Sequence, residues 1–379
     1  MSVNPDRPII TYENIALFHS DTPAHSSISN SGENIFFLPL VQSISFSVDA
    51  PRKNTQGLGS RNFLTRNTWE APDINFSVNV IEHLKEESSL FYNLIHHRFI
   101  DDDDRDRNFY AVVGDKRGFS VSGESLDNRD VLSFGNCFLT EASLSQSING
   151  VMLSSYNFVG SNMQAQQLQQ NGDLFSGDAP SIDLTGDQSQ DEKVLFSGIE
   201  NYYSKETGKL IPYYSTHVTV SGNGSVGNFL IQSDFIQSFQ LRFPTNRKTI
   251  YDLGKRYPVK RKLLFPVEGD FSFSNRVSNF EVNGERANLK DFLNSDESYT
   301  INISGSDTSE SGFNFKITDA KFASQSYDSS IGSDISASLN FSFDINKFVY
   351  VNPPGSLFKQ DGTFLLLEQG YNDNILLES

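Results

Sequence analysis

Val41-Gln42-Ser43-Ile44-Ser45-Phe46-Ser47-Val48 and, at an offset of 195, Ile236-Gln237-Ser238-Phe239-Gln240-Leu241-Arg242-Phe243 decide how this chain is read. Each run places apolar side chains at every second position, the mark of a half-buried antiparallel strand. The likeness continues without a gap. The same offset brings Gln42 onto Gln237, Ser43 onto Ser238, Arg52 onto Arg247, Lys53 onto Lys248 and Leu58 onto Leu253. It also brings Gly59 onto Gly254, Arg61 onto Arg256, Arg66 onto Arg261, Phe76 onto Phe271 and Ser77 onto Ser272. Later blocks recur in order with changed spacing. Leu139-Thr140-Glu141-Ala142 resembles Ile317-Thr318-Asp319-Ala320, Ser145-Gln146-Ser147 resembles Ser324-Gln325-Ser326, and Asn157-Phe158 recurs as Asn340-Phe341. Ordered matches of this kind indicate an internal repeat, with a domain at 34–160 and its copy at 228–347.

Both copies follow one plan. After the first strand comes a long excursion, 50–71 or 245–266, and then a second alternating strand. That strand carries Ile74, Phe76 and Val78 in one copy and Phe271 and Phe273 in the other. A helix is expected next. Val80, Leu84, Phe91, Leu94 and Ile95 form an apolar stripe, with a shorter one of Leu289, Phe292 and Leu293 in the copy. Further strands close each domain, clearest at Ile335, Ala337, Leu339, Phe341 and Phe343. The expected fold class is mainly β: two tandem copies of a β-sandwich or barrel domain, each with one flanking helix. Residues 1–33 form an N-terminal segment and 161–227 a linker or insertion, polar at Gln164 to Gly172 and tyrosine-rich at Tyr202, Tyr203, Tyr213 and Tyr214. Residues 348–379 form a C-terminal arm in which Leu365-Leu366-Leu367-Glu368 is echoed by Ile375-Leu376-Leu377-Glu378.

The formal charge of −17 opposes tight binding to nucleic acid, because an acidic surface repels phosphate. No leader peptide is expected at Met1 to Ile10, and no apolar run approaches the roughly 18–20 residues of a membrane span. Cys137 is the single cysteine, so an internal disulfide and a thiolate-rich metal site are excluded, and a small buried side chain is expected there. Gly222-Asn223-Gly224-Ser225-Val226-Gly227 spells a dinucleotide fingerprint. The apolar Phe229-Leu230-Ile231 after it reads as a strand rather than the helix that chemistry needs, so a hairpin turn is expected. Asp101 to Asp104 with Asp106 starts like a calcium loop, but Arg107 and Val113 stand where glycine and glutamate are required. The histidines, His19, His25, His83, His96, His97 and His217, form no zinc spacing, and His96 and His97 fit the C-terminal end of the expected helix. No catalytic constellation stands out. The expectation is a structural protein without enzyme activity, cofactor or metal.

The two excursions are the chemically distinctive segments. Arg52, Lys53, Arg61 and Arg66 lie in the first, and Arg247, Lys248, Lys255, Arg256, Lys260, Arg261 and Lys262 in the second. Only Glu70 and Asp252 oppose them there. In so acidic a chain, a cationic tongue is expected to contact an acidic surface on another copy.

This order of strand, long basic excursion, strand, helix and strands resembles the tail tube proteins of tailed bacteriophages, over 34–160 and 228–347. The resemblance implies a β-sandwich or barrel with a flanking helix and a hairpin that reaches the next ring. Six tube domains make a ring in that family, so a duplicated chain implies a homotrimeric, pseudohexameric ring that stacks into a tube. It further implies a virion component assembled in the host cytoplasm, through which genome DNA passes without specific binding. Its partners would be further copies of the chain and other tail proteins: tape measure, baseplate, terminator and sheath. The eleven basic residues above would make the contact between rings. A baseplate hub or tube-initiating ring, and a carbohydrate-binding module of a phage fibre using the four tyrosines, are the alternatives.

Overall fold

The computed structural model describes residues 15–20, 35–49, 52–55, 65–68, 73–82, 90, 107–113, 130–160, 162–167, 213–224, 227–231, 236–253, 258, 260–276, 281–282, 285–286, 298–306, 312–328 and 336–350. Nearly all of them lie in antiparallel strands. The first half of the chain supplies β1 (Ile15–Ser20), β2 (Ile35–Leu38), β3 (Val41–Asp49), β4 (Arg52–Thr55), β5 (Thr65–Thr68), β6 (Asp73–Ile81), β7 (Arg107–Val113), β8 (Asp130–Ser147), β9 (Leu153–Gly160) and β10 (Asn162–Gln167). Their lateral order is β3-β6-β9-β8-β7-β1-β2, with β10 also on β8 and β4–β5 a separate hairpin.

The second half supplies β11 (Thr216–Gly224), β12 (Gly227–Ile231), β13 (Ile236–Pro244), β14 (Arg247–Ile250), β15 (Lys260–Leu263), β16 (Glu268–Arg276), β17 (Glu281–Val282), β18 (Glu285–Arg286), β19 (Tyr299–Ser306), β20 (Gly312–Asp328), β21 (Ser336–Asp344) and β22 (Phe348–Tyr350). Here the order is β13-β16-β21-β20-β19-β11-β12, with β22 also on β20, and with β14–β15 and β17–β18 as separate hairpins. Strand for strand, the two orders correspond. Phe76 lies between Phe46 and Phe158, and Phe271 lies between Leu241 and Phe341. Arg52 faces Thr68 in one hairpin and Arg247 faces Leu263 in the other, each 195 positions on.

Two long strands let each half form two layers. The N-terminal part of β8 pairs with β7 and β10, and its C-terminal part pairs with β9. β20 divides in the same way between β19 with β22 and β21. Each strand turns from one layer to the other at a residue of positive φ, Asn136 (φ 53) or Asp319 (φ 58), two of the residue types that accept that conformation most readily. A register shift sits beside each turn, at Arg107/Phe109 against β8 and at Tyr299/Ile301 against β20. Bulges bend strands at such corners. Asp319 also accepts a hydrogen bond from the Ser298 hydroxyl, which tethers the second corner.

The core is aromatic. Phe76 stacks on Phe134 at 4.6 Å and meets Phe109 at 4.8 Å, while Phe109 meets Phe158 at 4.7 Å. In the second half Phe273, Phe341 and Tyr299 form one cluster, and Phe243, Phe315 and Phe348 another. The first half also buries polar groups. Tyr156 donates from its hydroxyl to Glu82 Oε1 at 2.5 Å, with both residues buried, whereas Leu339 holds the corresponding place on β21. Burial, and next the Glu82 charge, hold the Tyr156 phenol well above its ordinary pKa. It therefore ionises more readily in the unfolded chain, and stability present below about pH 10 is lost as pH rises beyond it. Tyr156→Phe is expected to cost about 1–3 kcal/mol in urea denaturation at pH 7, because Glu82 loses its buried donor. An unchanged midpoint would mean that the pair contributes nothing to stability.

Several expectations are corrected here. Val80 does not start a helix: it is a buried residue of β6, paired with Ser154 of β9. Leu90 alone of that neighbourhood is described, buried and helical, and Leu84, Phe91, Leu94, Ile95, Leu289, Phe292 and Leu293 lie outside the described residues. The block match of Leu139 with Ile317 is replaced by one with Phe322, because Leu139 faces Phe158 where Phe322 faces Phe341. Residues 15–20 and 216–224, left outside the two domains on sequence, are β1 and β11, which pair with β7 and β19. The C-terminal arm after 350 lies outside the described residues.

Candidate functional site

The halves are joined edge to edge. The C-terminal part of β8 pairs with β13, so that β3-β6-β9-β8-β13-β16-β21-β20 run as one continuous sheet. Across the joint Leu241 faces Leu144 and Phe243 faces Ala142, all four buried. Backbone bonds extend it at both ends, from Thr245 N to Thr140 O (2.8 Å) and from Ile148 N to Gln237 O (2.9 Å). On the outer face Arg242 forks onto Glu141 with two bonds of 2.8 Å, an exposed pair worth at most about 1 kcal/mol.

The second basic excursion belongs to this joint. Its hairpin, β14–β15, leans onto the first half. Arg247 donates from Nε to Leu139 O at 3.1 Å and lies 5.3 Å from the centre of the Phe138 ring. It also donates to Arg261 O at 3.2 Å, which ties the two hairpin strands together. Arg261 is 4% exposed and its guanidinium meets Asp73 of β6 at 2.6 Å. Thr245 adds a bond from its hydroxyl to Leu139 O at 2.7 Å. Arg247 and Arg261 thus hold two halves of one chain side by side. Lys248 and Lys262 are exposed and face each other across the hairpin, where two like charges favour an acidic neighbour. Lys260 lies in β15, Arg52 and Lys53 in β4, and Arg66 in β5. Arg61, Lys255 and Arg256 lie outside the described residues. The hairpin is also apolar towards its tip, with Tyr251 and Leu253 exposed.

Sequence reasoning missed the sheet edges. β3 and β13 share one alternating pattern, yet Phe46 is 45% and Val48 50% exposed, against 0% for Leu241 and 1% for Phe243. The difference is a neighbour: β13 lies between β16 and β8, whereas β3 has only β6 among the described strands. At the other end of the sheet, the C-terminal part of β20 pairs with β21 alone among the described strands, and its Ser324 and Ser326 are exposed. One signal was available. Asp73 and Glu268, the acids that open β6 and β16, are another pair at the offset of 195.

The other candidates fall elsewhere. Gly222 to Gly224 end β11 and Gly227 opens β12, which pairs antiparallel with it, so a strand and not a helix follows the glycines. Cys137 is fully buried, its thiol 3.8 Å from Gly135 O. Tyr213 and Tyr214 are exposed and meet edge to face at 5.8 Å, while Tyr202 and Tyr203, His96 and His97, and Asp101 to Asp106 lie outside the described residues. Among the described residues no helix is long and apolar enough to cross a membrane, and no cluster of His, Cys, Asp and Glu has the makings of a metal site.

No protein-family model and no curated protein matches the chain. Among solved structures, the tail tube of SPP1, determined by solid-state NMR and cryo-EM, is similar at 12% identity and a TM-score of 0.29, over 46% of this chain and 98% of that one.

Proposed function

We propose that this chain carries two copies of one domain and is a structural subunit of a phage tail tube, three chains closing a ring and rings stacking into the conduit for genome DNA. One observation carries the proposal: two halves of corresponding strand order are joined edge to edge, and among the described strands the sheet they build ends in two unlike open edges. Unlike edges give a heterologous contact, which either closes into a ring or runs on as a filament. Six halves per ring, the number implied by the tail tube resemblance, corresponds to three chains. The exposed face of the continuous sheet supports a conduit. Ser47, Ser77, Asn157, Ser145, Ser272 and Asn340 give it neutral hydroxyls and amides. Arg242 and Lys321 on that face are each paired with a carboxylate, Glu141 and Asp319, so in a chain of charge −17 it holds DNA weakly. The exposed Tyr251 and Leu253 of the β14–β15 hairpin, with Lys248 and Lys262, are then the contact with the next ring.

Concentrating the purified chain is expected to give rings of three times 42.4 kDa by native mass spectrometry, and stacked tubes in negative stain. Rings that never stack would favour a hub or initiating ring. A monomer at every concentration, or six chains to a ring, would overturn the proposal.

A further inference from the structure

The joint between β8 and β13 prescribes a second joint, with another copy of the chain. We infer that β3 and the β4–β5 hairpin of one chain dock on the outer edge of β20 of the next, in the register that β13 and the β14–β15 hairpin take on β8. This rests on the ring assembly proposed above and names the surface that closes it.

The register transfers residue by residue. β3 corresponds to β13 through the shared partners Phe76 and Phe271, and β8 corresponds to β20 through Phe158 and Phe341. Arg242 facing Ser143 then becomes Ser47 facing Ser326 of the neighbouring chain, and Leu241 facing Leu144 becomes Phe46 facing Tyr327. Phe243 facing Ala142 becomes Val48 facing Gln325. Pairing in this way covers Phe46 and Val48, the exposed apolar side chains of an edge strand nine residues long. Open edges of that kind are templates for strand addition.

The charges transfer as well. Arg66 holds in β5 the register place of Arg261 in β15, opposite Asn54 where Arg261 is opposite Thr249. Glu268 opens β16 where Asp73 opens β6, and Glu268 is exposed. The ion pair between Arg261 and Asp73 within a chain thus has its counterpart in Arg66 and the neighbour's Glu268. One element does not transfer. Phe138, the ring beneath Arg247, corresponds to Lys321, which would face Arg52. That lysine pairs with Asp319 at 3.9 Å, so the cation–ring contact of the joint within a chain has no equivalent between chains.

The test uses the full chain carrying Ser47→Cys and Ser326→Cys, with Cys137 buried and unreactive. Oxidation is expected to trap a covalent three-chain species on denaturing gels, in much higher yield than Ser47→Cys with Ser324→Cys, which is two residues out of register. Arg66→Glu and Glu268→Arg should each weaken ring formation about tenfold, and the double variant should restore it, because close pairs across interfaces couple. Native rings that give no Ser47–Ser326 cross-link and additive charge effects would overturn this interface and leave the ring standing. A chain that stays monomeric at every concentration would overturn both.

Discussion

Arg261→Glu is expected to lower stability by about 3 kcal/mol, mainly because the new carboxylate is buried without a partner. The guanidinium side is the buried one: the Arg261 side chain is 5% exposed and that of Asp73 is 49%. Glutamate there would sit beside a second carboxylate with little water to separate them. Arg261→Met keeps an apolar stem and removes the repulsion, so its cost should be smaller. Lys262→Glu, one residue along and exposed, should stay within about 0.5 kcal/mol of the parent. Urea midpoints for the three variants measure the series. If Arg261→Glu unfolded at the parent midpoint, the arginine would be solvated and its role in the joint would fall. With Arg261 buried in the chain's own joint, a charge-reversal test of assembly must leave Arg261 alone.

Phe76→Ala is the second large effect, expected to cost about 3–5 kcal/mol. The ring is 1% exposed and contacts Phe109, Phe134 and Phe158, which come from three different strands. Truncation leaves a cavity that these rings cannot close without leaving their own places in the sheet. Phe76→Leu keeps most of the volume and should lose less than half as much. Denaturation followed by near-UV circular dichroism would report both the loss and the loosening of the aromatic cluster. Equal midpoints for Phe76→Ala and the parent would show that the cluster repacks freely.

The offset of 195 was legible because it runs unbroken from Val41 to Asn79, onto Ile236 to Ser274, through the first strand, the excursion and the second strand, where no segment changes length. There the alternation of apolar side chains determined the two main strands and the apolar side of each, and the pairing register came from the structure. Beyond Ser77 the intervening segments differ in length, and short blocks rich in Ser and Thr matched by composition. Leu139 was therefore set against Ile317, five positions from Phe322, until backbone pairing with Phe158 and Phe341 decided it.

A period of two tells which side of a strand is apolar, and Phe46 and Leu241 read alike by that measure. Their burial differs because β8, about 100 positions before β13, arrives beside one strand and no described strand arrives beside the other. The basic excursions follow the same rule. Sequence located the cations, but the partners of Arg247 and Arg261 are Phe138, Leu139 and Asp73, residues 100 or more positions away. Local pattern determined which side chains this protein offers, and only the non-local pairing of strands decided which of them it keeps for itself.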